Sequence, residues 1–367
     1  TATAALHAQP SSIPVAQEFS KLHFRSVGPA TMSGRVADLG IAGRNGTALA
    51  VELRNKAGGV NGRAVELLVE DDQQDPEVAK QAVARLIERK VEAIVGPLTS
   101  AMAVAALPLA NEARLVMVSP TVTTPALSGL DDYFLRVLAP STENARKCAT
   151  YHFSQQGRRR VAAAYDLRNQ AYTESWLAEY RRVFEAAGGV ISGAVAYSSS
   201  EETQFGDLAE NLLATRPDAV LVIANSIDAA LLAQQFRKRD AAVAINAAEW
   251  AATERLIELG GRAVEGMVIA QFIDRNSTQP AYVAFRQAYR ERFAQEPGFT
   301  GLAGFDAANV VLDALASKTD GQTLKAAILA RGSFPGAQSE IRFDAMGDAA
   351  RGVYMTTIRA GAFVRLD

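Results

Sequence analysis

From Lys21 onward, short apolar runs rich in Val, Ile and Leu alternate with stretches of helical period, and that order narrows the possible folds more than any other feature. Arg63–Glu70 (RAVELLVE) reads as a strand and stops at Asp71-Asp72. Pro76–Lys90 then opens with a proline, the residue best tolerated in a first helical turn. Its Val78, Ala79, Ala82, Val83, Leu86 and Ile87 recur at helical spacing on one face. Ala93–Val95 is the next strand and ends at Gly96-Pro97, Thr99–Glu112 is a helix, and Leu115–Ser119 is a strand again. Parallel strands need a crossover between them, so this βαβα order predicts an α/β protein with parallel sheets covered by helices on both faces.

The alternation restarts after Pro140. Arg160–Asp166 (RVAAAYD) is a strand, and Ala171–Ala187 is a helix with Trp176, Leu177, Tyr180 and Phe184 on its inner face. Gly188-Gly189 closes that helix. Val190–Tyr197, Ala219–Ala224, Ala242–Ile245 and Val264–Ala270 follow as strands. A single open sheet with so many strands would be unusually wide. The 367 residues are therefore expected to form two doubly wound parallel-sheet lobes. No low-complexity tether separates them, so the joint is expected to be a multi-strand hinge. The opening strand Leu22–Val27 alternates polar and apolar residues, which reads as an edge strand rather than a buried parallel one.

Composition removes several function classes. Hydrophobic residues at 49% and charged residues at 21% describe a globular rather than a disordered chain. Net charge is −2 without a long basic run, and Arg158-Arg159-Arg160 and Arg237-Lys238-Arg239 read as solvated helix ends. A nucleic-acid partner has no electrostatic support. With Cys148 as the single cysteine there is neither an internal disulfide nor a thiolate metal cluster. No window approaches the 18 or more apolar residues of a membrane span. Residues 1–20 read as a flexible tail, and Thr1–Pro10 as a mature end or the remnant of an export signal.

Catalytic signatures are missing: there is no G-x-S-x-G, P-loop, H-E-x-x-H, or G-x-G-x-x-G after a strand. His7 falls in the tail, while His23 and His152 sit among aromatic residues and read as structural. The acid pairs Asp71-Asp72, Asp131-Asp132 and Glu201-Glu202 fall at turns and read as solvated carboxylates. No enzyme, cofactor or metal site is expected.

The positive signal is two hydroxyl-rich turns at strand ends, Gly96-Pro97-Leu98-Thr99-Ser100-Ala101 and Ser119-Pro120-Thr121-Val122-Thr123-Thr124-Pro125. In open α/β sheets ligands sit beyond the carboxyl ends of strands. A helix N-terminus there suits a carboxylate, and Ser100 and Thr123 would complete an oxyanion cradle. The other reading is that these residues only cap helices. Glu249, in Asn246–Trp250 (NAAEW) after a strand, presents the same choice. It is either a cleft acid awaiting a cation or an exposed acid at the N-terminus of the helix holding Thr253–Leu259.

An ordered set of segments resembles the branched-chain amino acid (leucine/isoleucine/valine) binding family of type I periplasmic binding proteins, from about Val27 to the end. Met32-Ser33-Gly34, Gly40, Gly46, Leu49-Ala50 and Gly58-Gly59-Val60-Asn61-Gly62 look like its first loop and helix. Asp71-Asp72, Gly96-Pro97, Ser119-Pro120 and Pro125 fall where its next turns lie. Asp166 with Tyr172-Thr173-Glu174 looks like its second-lobe loop, and Gly304-Phe305-Asp306-Ala307 resembles a late helix start.

The resemblance implies a Venus flytrap, the solute-binding receptor of an ABC importer. Residues 21–140 and 271–345 would form the first lobe, and 141–270 and 346–367 the second. A small molecule, expected to be an amino acid or related carboxylate, would bind between them. Ser100, Thr121 (through its carbonyl) and Thr123 would hold the carboxylate and part of the ammonium, with Thr99 beside them. Tyr172 would close over the ligand and Glu249 would meet the ammonium. Asn225 stands where those relatives have an aromatic residue, and Leu39 where they have a tyrosine. Gln74 and Thr99 replace a cysteine pair found in some members. The resemblance further implies a periplasmic or surface-attached monomer that docks on an ABC permease. The alternative reading is a flytrap sensor, responsive to an amide or aromatic acid, that serves no permease.

Overall fold

The computed structural model describes residues 25–27 and 37–367, with side chains from residue 40 onward. The expected tail, His7, His23 and the segment Met32-Ser33-Gly34 lie outside the described residues. Two parallel sheets organise the rest. The first has five strands: β1 (Arg25–Val27), β2 (Leu68–Glu70), β3 (Ile94–Val95), β4 (Met117–Ser119) and β5 (Phe134–Arg136), in the order β2-β1-β3-β4-β5. All neighbours in it run parallel. β1 thus lies inside the sheet, paired to β2 and β3, and not at its edge. The alternation of Leu22–Val27 misled because three paired residues are too few for a period to report which ladders their backbone makes.

β6 (Arg160–Asp166), β7 (Val190–Tyr197), β8 (Ala219–Ile223), β9 (Ala244–Ala247) and β10 (Val268–Gln271) form the parallel part of the second sheet. A small antiparallel sheet follows from β11 (Ser333–Phe334), β12 (Ile341–Phe343) and β13 (Ala349–Ala350). β14 (Tyr354–Arg359) and β15 (Ala362–Arg365) then return to the second sheet as an antiparallel edge, giving β15-β14-β10-β9-β8-β6-β7. The central strands are buried on both faces, as parallel strands must be. On β8, Ala219, Leu221 and Ile223 pack into the cluster holding Trp176, while Val220 and Val222 pack into the one holding Phe236.

The covering helices are α1 (Ala37–Lys56), α2 (Pro76–Glu88), α3 (Ser100–Glu112), α4 (Ser141–Ser154), α5 (Gln170–Ala186), α6 (Phe205–Ala214), α7 (Ser226–Arg239), α8 (Glu254–Gly260), α9 (Pro280–Phe293), α10 (Gly298–Ser317) and α11 (Leu324–Arg331). The inner face read for α5 is the buried one: Trp176, Tyr180 and Phe184 stack in succession. α1 and α10 meet at glycines. A Cβ on Gly46 would lie 2.0 Å from the Gly301 carbonyl oxygen, and one on Gly304 would lie 2.3 Å from that of Gly43. By length and composition alone α10 is apolar enough to cross a membrane, but it is mostly buried against its neighbours, as a core helix is. Asp306 falls in its third turn and does not open it.

The chain passes between the sheets at residues 137–140, 272–279 and 351–353. Buried ion pairs hold two of these crossings. Asp306 Oδ2 meets the Arg351 guanidinium at 2.8 Å and its Oδ1 accepts the Ala337 N–H. The fully buried Arg136 donates from Nε to Asp348 Oδ1 at 2.7 Å and from Nη1 to the Thr124 carbonyl at 2.7 Å. Asp72, read as a solvated turn acid, is instead buried, and that desolvation raises its pKa to about 6.

Two tests follow from this packing. Gly46→Ala forces α1 and α10 apart and should cost about 1–3 kcal/mol in denaturant unfolding, the range of core overpacking. His152 is buried with Nδ1 2.9 Å from the Tyr180 hydroxyl, and burial pushes its pKa down to about 3. The unfolded chain takes up the imidazole proton near pH 6.5 and the folded chain does not, so this residue withdraws stability as pH falls from 6.5 towards 3. His152→Gln should flatten the acid-side decline by up to about 1.4 kcal/mol per pH unit, measured by urea melts between pH 4 and 7.

Candidate functional site

Strands from both sheets end at one cavity. Leu98, Thr99 and Ser100 follow β3, Thr121 and Thr123 follow β4, and Leu138 lies in the first crossing. From the other side, Asn169 and Tyr172 follow β6, Glu249 and Trp250 follow β9, and Phe272 follows β10. Phe299, at the start of α10, completes the lining. Six of the eight expected site residues therefore converge: Thr99, Ser100, Thr121, Thr123, Tyr172 and Glu249. Asn225 does not line the cavity. It is the N-cap of α7, where its Oδ1 accepts the N–H groups of Ile227 and Asp228. Leu39 lies in α1, with its side chain outside the described residues.

The hydroxyl turns do more than cap helices. Thr99 is the N-cap of α3, but its side chain makes no capping bond. Ser100 Oγ instead accepts the Thr124 N–H at 3.3 Å and so joins the two turns. Ser119 Oγ donates to the Pro97 carbonyl at 2.7 Å, and Thr121 Oγ1 donates to the Leu98 carbonyl. These bonds fix the β3 and β4 turns against each other at the N-terminus of α3, whose helix dipole favours an anion.

Opposite them stands Glu249, in a single helical turn over 249–251 after β9 and ahead of α8. It is 4% exposed, so it is not a solvated helix-end acid. Its Oε2 accepts the Trp176 indole N–H at 2.9 Å, while its buried Oε1 has no partner. No cation pairs with it among the described residues. Desolvation raises its pKa, opposed by the nearby Asn144, Trp176 and Tyr172 side chains. The Tyr172 hydroxyl is also buried, and desolvation together with the charge and hydrogen bonding of the adjoining Glu249 raises its pKa well above the usual tyrosine value. Tyr172 packs edge-on to Trp250 at 5.8 Å.

Sequence reasoning missed Asn169, Leu98, Leu138, Trp250, Phe272 and Phe299. Asn169 shared a strand-end loop with Tyr172, and Trp250 adjoined Glu249. Phe272 follows directly on a strand. Phe299 carried no local signal, because only the return of α10 brings it here. Asn169 Oδ1 accepts the Ala101 N–H at 3.1 Å, and Thr124 Oγ1 donates to the Ala171 carbonyl at 2.7 Å. Both bonds span the cleft and hold it closed.

Two parallel-sheet lobes, three crossings and a cavity walled by both lobes define a hinged receptor for small solutes. The chain matches the periplasmic binding protein family over residues 29–362 and belongs to it. It is 25% identical over 323 residues, 87% of each chain, to the Leu/Ile/Val-binding protein BraC3 of Rhizobium johnstonii. It is 23% identical to the leucine-, isoleucine-, valine-, threonine- and alanine-binding protein of Pseudomonas aeruginosa, over 88% of this chain and 85% of that one. Among solved structures, a leucine binding protein, LivK, of Thermotoga maritima superposes with a TM-score of 0.84 at 26% identity, covering 94% of this chain and 98% of that one. An ABC transporter solute-binding protein of R. palustris in complex with benzoate shares the fold, with a TM-score of 0.84 at 17% identity, covering 95% of this chain and 96% of that one. The chain is thus a solute-binding receptor of the ABC-importer type.

Thr124→Val removes a cross-cleft donor without touching the cavity lining. It should enlarge the open population seen by small-angle scattering and weaken ligand affinity up to about tenfold, the value of one hydrogen bond.

Proposed function

We propose that the protein captures an amino acid, or a small carboxylate related to one, and delivers it to an ABC permease. The observation that carries this reading is the free, buried Oε1 of Glu249 across the cavity from the hydroxyl turns. A buried carboxylate without a cation is costly, and a ligand ammonium supplies the missing charge. Ser100, Thr123 and the N-terminus of α3 suit the carboxylate of the same molecule. Leu98, Leu138, Trp250, Phe272 and Phe299 line the space left for an apolar side chain. The names of the relatives, binders of leucine, isoleucine and valine, agree with that polarity. The absence of a catalytic constellation in the sequence supports a receptor without turnover. A monomer working in the periplasm is the natural form for such a carrier.

The test is binding by wild type and Glu249→Gln across amino acids and amine-free acids, benzoate included. Glu249→Gln should weaken amino-acid binding by about 2–5 kcal/mol, as expected when one partner of a buried charge pair is removed. Amine-free acids should be spared. Because burial raises the Glu249 pKa, its ionised form is lost on acidification sooner than that of an exposed glutamate. Amino-acid affinity should therefore fall with decreasing pH in wild type but not in Glu249→Gln, measured by calorimetry. Equal affinity in the two proteins would remove Glu249 from the site.

A further inference from the structure

Arg136 ends β5, and residues 137–140 cross towards the second sheet directly after it. Its guanidinium is fully buried, and every nitrogen of it is bonded. Nε donates to Asp348 Oδ1 at 2.7 Å, Nη1 to the Thr124 carbonyl at 2.7 Å, and Nη2 to Ser128 Oγ and to Asp348 Oδ1. Asp348 stands just ahead of β13 and of the crossing at 351–353, and its Oδ2 accepts the Gly129 N–H at 3.1 Å. The Arg136 backbone N–H donates to the neighbouring Gly347 carbonyl at 3.1 Å. One side chain therefore ties the starts of the first and third crossings to each other and to the turn after β4.

Thr124 carries the connection on to the cleft. It is buried, and each of its polar groups has a separate partner. Its N–H donates to Ser100 Oγ at 3.3 Å, its carbonyl accepts from Arg136, and its hydroxyl donates across the cleft to the Ala171 carbonyl at 2.7 Å. A hydrogen bond weakens steeply with distance and angle, so the placing of the Thr124 backbone decides whether the lobes are joined there. Ser100 fixes that backbone from the cavity side and Arg136 from the hinge side.

Stability alone does not account for the Arg136–Asp348 pair. A buried ion pair gains little over apolar residues of the same volume, because desolvation offsets the attraction. Apolar residues, however, could not hold the Thr124 carbonyl, whereas a planar guanidinium fixes several acceptors at set angles. We infer that Arg136 is a positioning residue for closure: paired with Asp348, it couples the first and third crossings to the Thr124–Ala171 bond, so that hinge bending and cleft bonding occur as one event. This coupling holds whichever solute is bound.

The test uses the full chain with spin labels at Gln81→Cys on α2 and Glu210→Cys on α6, both exposed and one in each lobe. Cys148 is buried and takes no label. Label-to-label distances, from double electron–electron resonance, give the closed-to-open ratio without titrant and with L-leucine, L-phenylalanine or benzoate. Two variants break the coupling: Asp348→Asn, and Arg136→Met joined with Asp348→Ala, which leaves no orphan charge and serves if the first folds poorly. Each is made with and without Thr124→Val. Either alone should lower the closed-to-open ratio roughly three- to tenfold, the worth of about one hydrogen bond. In the Thr124→Val background each should change it by less than about twofold, because the bond it acts through is already gone. An equal fall in both backgrounds overturns the inference, since the pair would then act on the hinge by itself. So does an unchanged or raised ratio, whatever the melting point, because a structural ion pair would lower only the latter. A wild type with no closed population under any of these conditions overturns it as well.

Discussion

A parallel sheet is covered by helices on both faces, and that constraint places everything functional at its edges. Along β3, β4, β6, β9 and β10 the backbone is saturated by ladder bonds and the side chains are committed to the core. Chemistry can be presented only where each strand ends and the chain turns into a helix. With two such sheets whose carboxyl ends face one gap, short loops and helix starts from both supply a cavity, and neither sheet could enclose a ligand alone. The three crossings hold the gap at a set width, and the buried Arg136–Asp348 and Arg351–Asp306 pairs anchor two of them. Arg136 also grips the Thr124 carbonyl, so one guanidinium serves both the hinge and the β4 turn.

The electrostatics of the cavity are asymmetric. On one side are hydroxyls and the N-terminus of α3, fixed against each other by Ser100, Ser119 and Thr121. On the other is a carboxylate withdrawn from water with one oxygen bonded and one free. Such a pairing of opposite polarity across one cavity suits a zwitterion. Closure belongs to the same design. The bonds of Asn169 and Thr124 across the cleft contribute to the closed form directly, and a ligand bridging the two polar sides adds to them.

Legibility was uneven, for physical reasons. The apolar periods of α2 and α5 and the continuous runs of β6 and β8 were plain, because these elements are long enough to repeat. β5 and β11–β15 were not read, since runs of two to six residues carry no usable period. β1 was read as an edge although it is internal, and Asp72 as solvated although it is buried. The Asp72 error came from judging burial without knowing what packs on top, and the β1 error from a segment too short for its period to report its pairing. At the cavity, Ser100, Thr123 and Glu249 were recoverable because strand ends are marked in the sequence, and Tyr172 through the family resemblance. Asn225 occupies a strand end too, but its side chain is consumed by capping α7.

The sequence by itself determined the class: two α/β lobes, with hydroxyl-rich turns and an acid at strand ends that could either cap helices or meet a ligand. Local periodicity and turn chemistry suffice for that, because each is written within about twenty residues. Only the tertiary structure decided which buried polar atoms find a partner. Arg136 and Asp348 look like ordinary polar residues near turns, and Phe299 like any core aromatic. Their surroundings are assembled from segments as far apart in the chain as Leu98 and Phe299, and whether a buried oxygen has a donor depends on every one of them.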